Sequence, residues 1–262
     1  MKLKILNGDK KDFIQHLSKF LKKRKETQSK NLSMVKRIVN DVQSKGDKAI
    51  FKYERKFTKI KKLNKKFALS DREIIKIVKN LNKETKKSID IAFSRIEKFH
   101  KKQLFKSFKF RDKYHNEMSY RYMPIESVGV YVPGGRANYP SSVLMNCIPA
   151  KVAGVKKIYM TTPLYKTIPN PAVIYAAKKC GVKKIYKIGG AQAVAALAFG
   201  TKKINKVNKI VGPGNSYVAG AKKEVFGEVG IDMIAGPSEV LIVTDKYSNP
   251  DWVASDLIAQ AE

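Results

Sequence analysis

Apolar positions along the chain follow two different rhythms. Through the first hundred residues they recur at helical spacing. Over residues 9–25, Phe13, Ile14, Leu17, Phe20 and Leu21 share one helix face. Over residues 31–45 the same period runs through Leu32, Val35, Ile38, Val39 and Val42. Gly46-Asp47 breaks the pattern, and Ala49, Ile50, Tyr53 and Phe57 resume it. Ser70-Asp71-Arg72-Glu73 has a serine followed three positions later by a carboxylate, the signature of a helix start. The pattern predicts a helix from there to about Leu81 and a longer one from about Lys83 to Leu104.

From about residue 105 the rhythm changes. Phe105 to Phe110 and Met118 to Met123 alternate apolar and polar around a turn at 112–117. Strands are then predicted over 127–132, 157–162, 184–188, 209–211 and 239–243. Helices are predicted over 141–153, 171–180, 193–199, 218–225 and 250–262. Gly181 is a helix stop. Strands alternating with helices call for a parallel sheet covered on both faces, behind a helical N-terminal region. Composition alone marks a break only near residues 105–125.

Length, 262 residues, fits one or two domains, and a hydrophobic fraction of 43 % is enough for a sizeable core. The net charge of +32 raises nucleic acid as a partner. The excess is uneven: +23 over residues 1–120 and +9 over 121–262. It is nearly all Lys, set among Ile and Asn in helical patterns, whereas base-specific readers lean on Arg. A basic nucleic-acid-binding protein is therefore the alternative reading, and the weaker one. No apolar run reaches the ~18 residues of a membrane span. Met1 to Asp9 has no long apolar stretch of the kind a signal peptide needs. Cys147 and Cys180 lack metal-type spacing, and they suit a reducing cytoplasm.

The candidate chemistry sits where strands break into glycine. Val132-Pro-Gly-Gly, Ile188-Gly-Gly-Ala-Gln192 and Val211-Gly-Pro-Gly-Asn215 fall at three strand ends, and Asp232-Met-Ile-Ala-Gly-Pro-Ser-Glu239 follows. Glycine lets backbone approach a ligand, and a helix N-terminus offers free N–H groups to an anion. Together the turns predict a pocket floored by backbone amides, with Tyr131, Gln192 and Asn215 as its polar side chains. Tyr131 also fits as a plain strand aromatic, and Gln192 and Asn215 as helix caps. Cys147 lies in an apolar helical pattern and reads as a buried structural thiol. Arg136 fits a phosphate contact or an ion pair equally well. His16, His100 and His115 read as surface or packing residues.

These turns resemble histidinol dehydrogenase. The resemblance rests on the run from Val128 through Tyr131-Val-Pro-Gly-Gly to Met145, on Gly189-Gly-Ala-Gln-Ala-Val-Ala-Ala-Leu-Ala-Phe-Gly-Thr201 and on Val211-Gly-Pro-Gly-Asn215. It continues in Ile231-Asp-Met-Ile-Ala-Gly-Pro-Ser-Glu-Val-Leu241 and Ser255-Asp-Leu-Ile-Ala-Gln-Ala-Glu262. It covers residues from about 120 onward in unbroken motif order. The resemblance implies a zinc-dependent, NAD-linked homodimer that oxidises L-histidinol through an aldehyde to L-histidine. It implies NAD contacts at Tyr131, Gln192 and Asn215, substrate contacts at Ser238 and Gln260, and Gln260 as a zinc ligand. By the same analogy the fold is α/β with two incomplete Rossmann-like domains. Residues 1–28 form an arm, 29–131 plus 240–262 a first domain, and 132–239 a second, NAD-binding one.

The sequence departs from the family pattern at Glu262, one residue before the histidine that completes the last motif. Gln260 is then half of a two-point metal grip at helical spacing. Residues 121–262 contain no histidine, and a catalytic zinc wants about three protein ligands. The catalytic acid and base and the other zinc ligands are expected beyond residue 262, with no turnover and poor solubility for the 262-residue chain alone.

Overall fold

The computed structural model describes residues 6–58, 66–134, 138–163, 169–234 and 240–261. The first helix, α1, runs unbroken over Phe13–Lys45, where the sequence predicts two helices. No glycine or proline stands between residues 25 and 31, so nothing stops the first helix from entering the second. Gly46, at φ +53°, is the stop, and α2 follows over Asp47–Thr58. The Ser70–Glu73 start is a full capping box: Ser70 Oγ accepts from the Glu73 N–H and Glu73 Oε2 accepts from the Ser70 N–H. It opens α3 (Asp71–Lys79), and α4 follows over Lys83–Lys101, three residues short of the predicted end. An antiparallel ribbon then pairs β1 (Phe108–Arg111) with β2 (Glu117–Tyr120).

The remaining elements alternate: β3 (Ser127–Tyr131), α5 (Pro140–Val152), β4 (Lys157–Thr161), α6 (Pro171–Lys179), β5 (Lys184–Tyr186), α7 (Gly190–Phe199), β6 (Lys209–Val211), α8 (Ser216–Val225), β7 (Gly230–Ile231) and α9 (Pro250–Ala261). Strands β3 to β7 form one parallel sheet in the order β5-β4-β3-β6-β7. Residues on successive strand positions point to opposite faces. Tyr131, Tyr159, Tyr186 and Ile210 join α1, α2, α7 and α8 in one core. Val128, Val130, Ile158, Met160 and Ile185 join α3 to α6 in the other. Both faces are thus covered, as the α/β alternation requires. Gly129 in β3 lets α7 come close: a Cβ there would stand 2.8 Å from Leu197 Cδ1.

Among the described residues one parallel sheet forms, with β3 at its centre. The strand predicted over 239–243 is corrected. Residues 240–243 form no strand, and Leu241 and Val243 are almost fully exposed. The place beside β6 is taken by β7, whose Gly230 N–H donates to Asn208 O and whose following Asp232 N–H donates to Ile210 O. Among the described residues no strand pairs with this run, and a strand exists only in a ladder.

Candidate nucleotide-binding end of the sheet

Numbered by their own sequence, the parallel strands lie in the order 3-2-1-4-5, that of a doubly wound dinucleotide-binding sheet short of its sixth strand. The chain moves outward from β3 through β4 to β5 on one face, then returns to β6 beside β3 and continues on the other. The helices leaving β3 and β6 therefore diverge, and the carboxyl ends of these two strands border the crevice where such sheets bind ligands.

The sequence-predicted residues sit at this end. Tyr131 is the last residue of β3 and is buried. Its hydroxyl oxygen accepts the Gly190 N–H at 3.0 Å, tying β3 to the turn that opens α7. Burial pushes the phenol up to about 12, so it stays a neutral donor and acceptor at any ordinary pH. Gln192, in the first turn of α7, is 2 % exposed. It does not cap its helix. Its Nε2 donates to Glu54 Oε1 at 2.8 Å, and its Oε1 is buried without a partner. Asn215 is exposed and does cap α8, accepting from the Tyr217 and Val218 N–H groups. Ser238 and Arg136 lie outside the described residues, as does the side chain of Gln260.

The predicted floor of free amides is corrected at three positions. The Gly189 N–H donates to Glu54 Oε1 at 3.1 Å, Gly190 to Tyr131, and Gly212 to Asp232 Oδ2 at 2.8 Å. The chain's own side chains hold these turns in shape. Gly212, at φ +110°, also abuts β3: a Cβ there would stand 2.1 Å from the Tyr131 carbonyl oxygen.

Two residues that organise the site escape a reading of apolar rhythm. Glu54 is 1 % exposed on α2, four positions after buried Ile50, and that i,i+4 placement was its signal. Burial raises its carboxyl above the usual range, against the opposing bonds from Gln192 and Gly189. Lys222 on α8 is 4 % exposed, and Nζ donates to Gly212 O at 2.5 Å and Asp232 Oδ1 at 2.6 Å. Burial would push Asp232 up, but Lys222 and the Met233 and Gly212 N–H groups outweigh it and hold the carboxyl below its ordinary value. The β6–α8 turn is thereby clamped from both sides.

Other candidate features do not include Tyr131, Gln192 or Asn215. Cys147 and Cys180 are both buried between α5 and α6; hydrogen bonding to Cys180, then burial, raises the Cys147 thiol and keeps it un-ionised. The histidines lie on exposed or partly exposed positions, and His100 Nδ1 bonds Gln103. An open apolar cleft of about 590 Å³ between the α4–β1 connection, α5 and β6 includes Phe105, Met145, Val211 and Asp232 but none of Tyr131, Gln192 or Asn215. Among the described residues no group of three His, Cys, Asp or Glu is placed to hold a metal ion, and no helix is long and apolar enough to cross a membrane. The described residues do not fit a resident zinc.

Comparison with known proteins gives one family. The model described as "Histidinol dehydrogenase" matches residues 21–262. A histidinol dehydrogenase of Pelagibacter ubique is 56 % identical over 261 residues, 99 % of this chain and 60 % of that protein. One from Brucella abortus is 50 % identical over 251 residues, 96 % of this chain and 58 % of that protein. The crystal structure of histidinol dehydrogenase from Elizabethkingia anophelis superposes with a TM-score of 0.77 at 41 % identity, over 87 % of this chain and 53 % of that one. The chain thus spans somewhat less than two thirds of the length of the relatives it matches. It belongs to the histidinol dehydrogenase family.

Proposed function

We propose that this chain carries the dinucleotide-binding part of an NAD-linked histidinol dehydrogenase, which oxidises L-histidinol by way of L-histidinal to L-histidine. The observation that carries the reading is the strand-order reversal between β3 and β6, with Tyr131, Gln192 and Asn215 at the carboxyl ends of β3, β5 and β6. NAD bound there supplies the hydride acceptor. The chain's own residues bind and orient. Tyr131 spends its oxygen lone pair on Gly190 and keeps its O–H hydrogen as a donor. Asn215 spends Oδ1 on the α8 amides and keeps Nδ2 as a donor. The N-terminus of α8 adds a positive dipole end suited to a phosphate.

On the same reading Ser238 and Gln260 contact the substrate and Gln260 is a zinc ligand, with the working enzyme a cytoplasmic homodimer. The described residues offer no group of three His, Cys, Asp or Glu to hold that metal, and the side chain of Gln260 lies outside them. The division into 1–28, 29–131 plus 240–262, and 132–239 belongs to this proposal too. Family membership favours it over a nucleic-acid-binding role for the basic N-terminal half.

A chimera tests the reading. Put in place of the matching 261 residues of the Pelagibacter ubique relative, this chain should give a folded protein that forms NADH from NAD+ and L-histidinol. A folded chimera that forms none overturns it.

A further inference from the structure

Three observations converge on the turn between β5 and α7. Glu54 is a carboxyl group brought from α2, a distant element, into the start of α7 with 1 % of its surface exposed. One oxygen, Oε1, accepts both the Gly189 N–H and the Gln192 Nε2. Gln192 Oε1 is left as a buried acceptor with no donor, at a position where a Cβ on Gly190 would stand only 3.0 Å away. Burying an acceptor without a partner is costly, and native chains keep such atoms mainly where something else supplies the donor.

Resting on the dinucleotide reading above, we propose that Glu54 is a positioning residue. By engaging the nitrogen end of the Gln192 amide it fixes the carbonyl end as an acceptor for an N–H of the bound dinucleotide, from its base amino group or its carboxamide. The chemistry is one of polarity. A carboxylate accepts only, so it selects the NH2 end of the amide and turns the oxygen away from itself. The same oxygen holds the Gly189 N–H, so the turn and the amide are set together. The α2 helix that delivers Glu54 is in turn fastened to α1 where Asp41 accepts from the Tyr53 hydroxyl at 2.6 Å and from Lys52 at 2.9 Å.

The test is equilibrium binding of three probes to the 262-residue chain: NAD+, its hypoxanthine analogue lacking the base amino group, and its acetylpyridine analogue lacking the carboxamide N–H. Wild type should bind NAD+ about tenfold more tightly than one of the two analogues. Glu54→Leu should erase that preference, Glu54→Gln should restore it, and Gln192→Met should abolish it regardless of residue 54. Circular dichroism shows which variants are folded; should Glu54→Leu not fold, Gln192→Met and the analogue comparison in wild type decide. Equal binding of NAD+ and both analogues by wild type, or a preference that survives Glu54→Leu, overturns the inference while leaving nucleotide binding intact. A wild-type chain that binds none of the three overturns the dinucleotide reading and the inference with it.

Discussion

At the residue scale, the polar groups of the β5–α7 turn are matched to one another rather than left open. Tyr131 and Glu54 between them take the first two amides of the turn, which leaves Gln192 Oε1 as the group still lacking a partner. Apolar spacing marks Ile50 and Tyr53 and passes over Glu54, a carboxylate on the same face whose one signal is its i,i+4 relation to Ile50. Lys222 was hidden by the chain's abundance of lysine. The raised Glu54 carboxyl has a sign that can be checked. A raised acid is protonated in the folded chain at pH values where the unfolded chain is already ionised, so stability falls as pH rises from the ordinary value of 4.5 through the raised one. Tyr131, the titratable neighbour in this site, stays neutral across that window. Thermal melts of wild type and Glu54→Gln should therefore diverge with rising pH, the variant gaining relative stability. Parallel pH profiles would show that Glu54 is not buried as described.

At the scale of elements, most helices follow from apolar period and capping chemistry. The capping box at Ser70 and the stop at Gly46 were both visible as residue types in order. What spacing does not reveal is how a turn is braced. Lys222 reaches back from the second turn of α8 to the Gly212 carbonyl and to Asp232 just after β7, so three elements meet in one ion pair. Truncating one partner of a buried pair strands the other. Lys222→Met should cost about 3 kcal/mol, the low end for such pairs because Asp232 keeps 28 % of its side chain exposed. Urea unfolding measures it, and a loss under about 0.5 kcal/mol, the size of an ordinary surface change, would contradict the clamp. The run at 240–243 shows the opposite limit: its apolar residues read as a strand, yet a strand is defined by its neighbour, and among the described residues this run pairs with none.

For the whole molecule, alternating strands and helices foretold a parallel sheet covered on both faces, but not its order. Order depends on which core each connecting helix joins, and α5 and α6 carry much the same small apolar residues as α7. Glycine-broken turns marked the strand ends, and the structure has Tyr131, Gln192 and Asn215 at the carboxyl ends of β3, β5 and β6. Acidic residues of the N-terminal helices pair with lysines, Asp41 with Lys45 and Lys52, Glu97 with Lys101 and Lys151, and Asp90 with Lys179, and the net surplus of +23 over residues 1–120 remains after these carboxylates are counted. Backbone hydrogen exchange, read by mass spectrometry with and without saturating NAD+, tests the central claim most directly. The account predicts slowed exchange concentrated in segments 130–134, 189–193 and 212–218, at the carboxyl ends of β3, β5 and β6. Unchanged exchange there, or protection confined to the lysine-rich helices before residue 105, would contradict it.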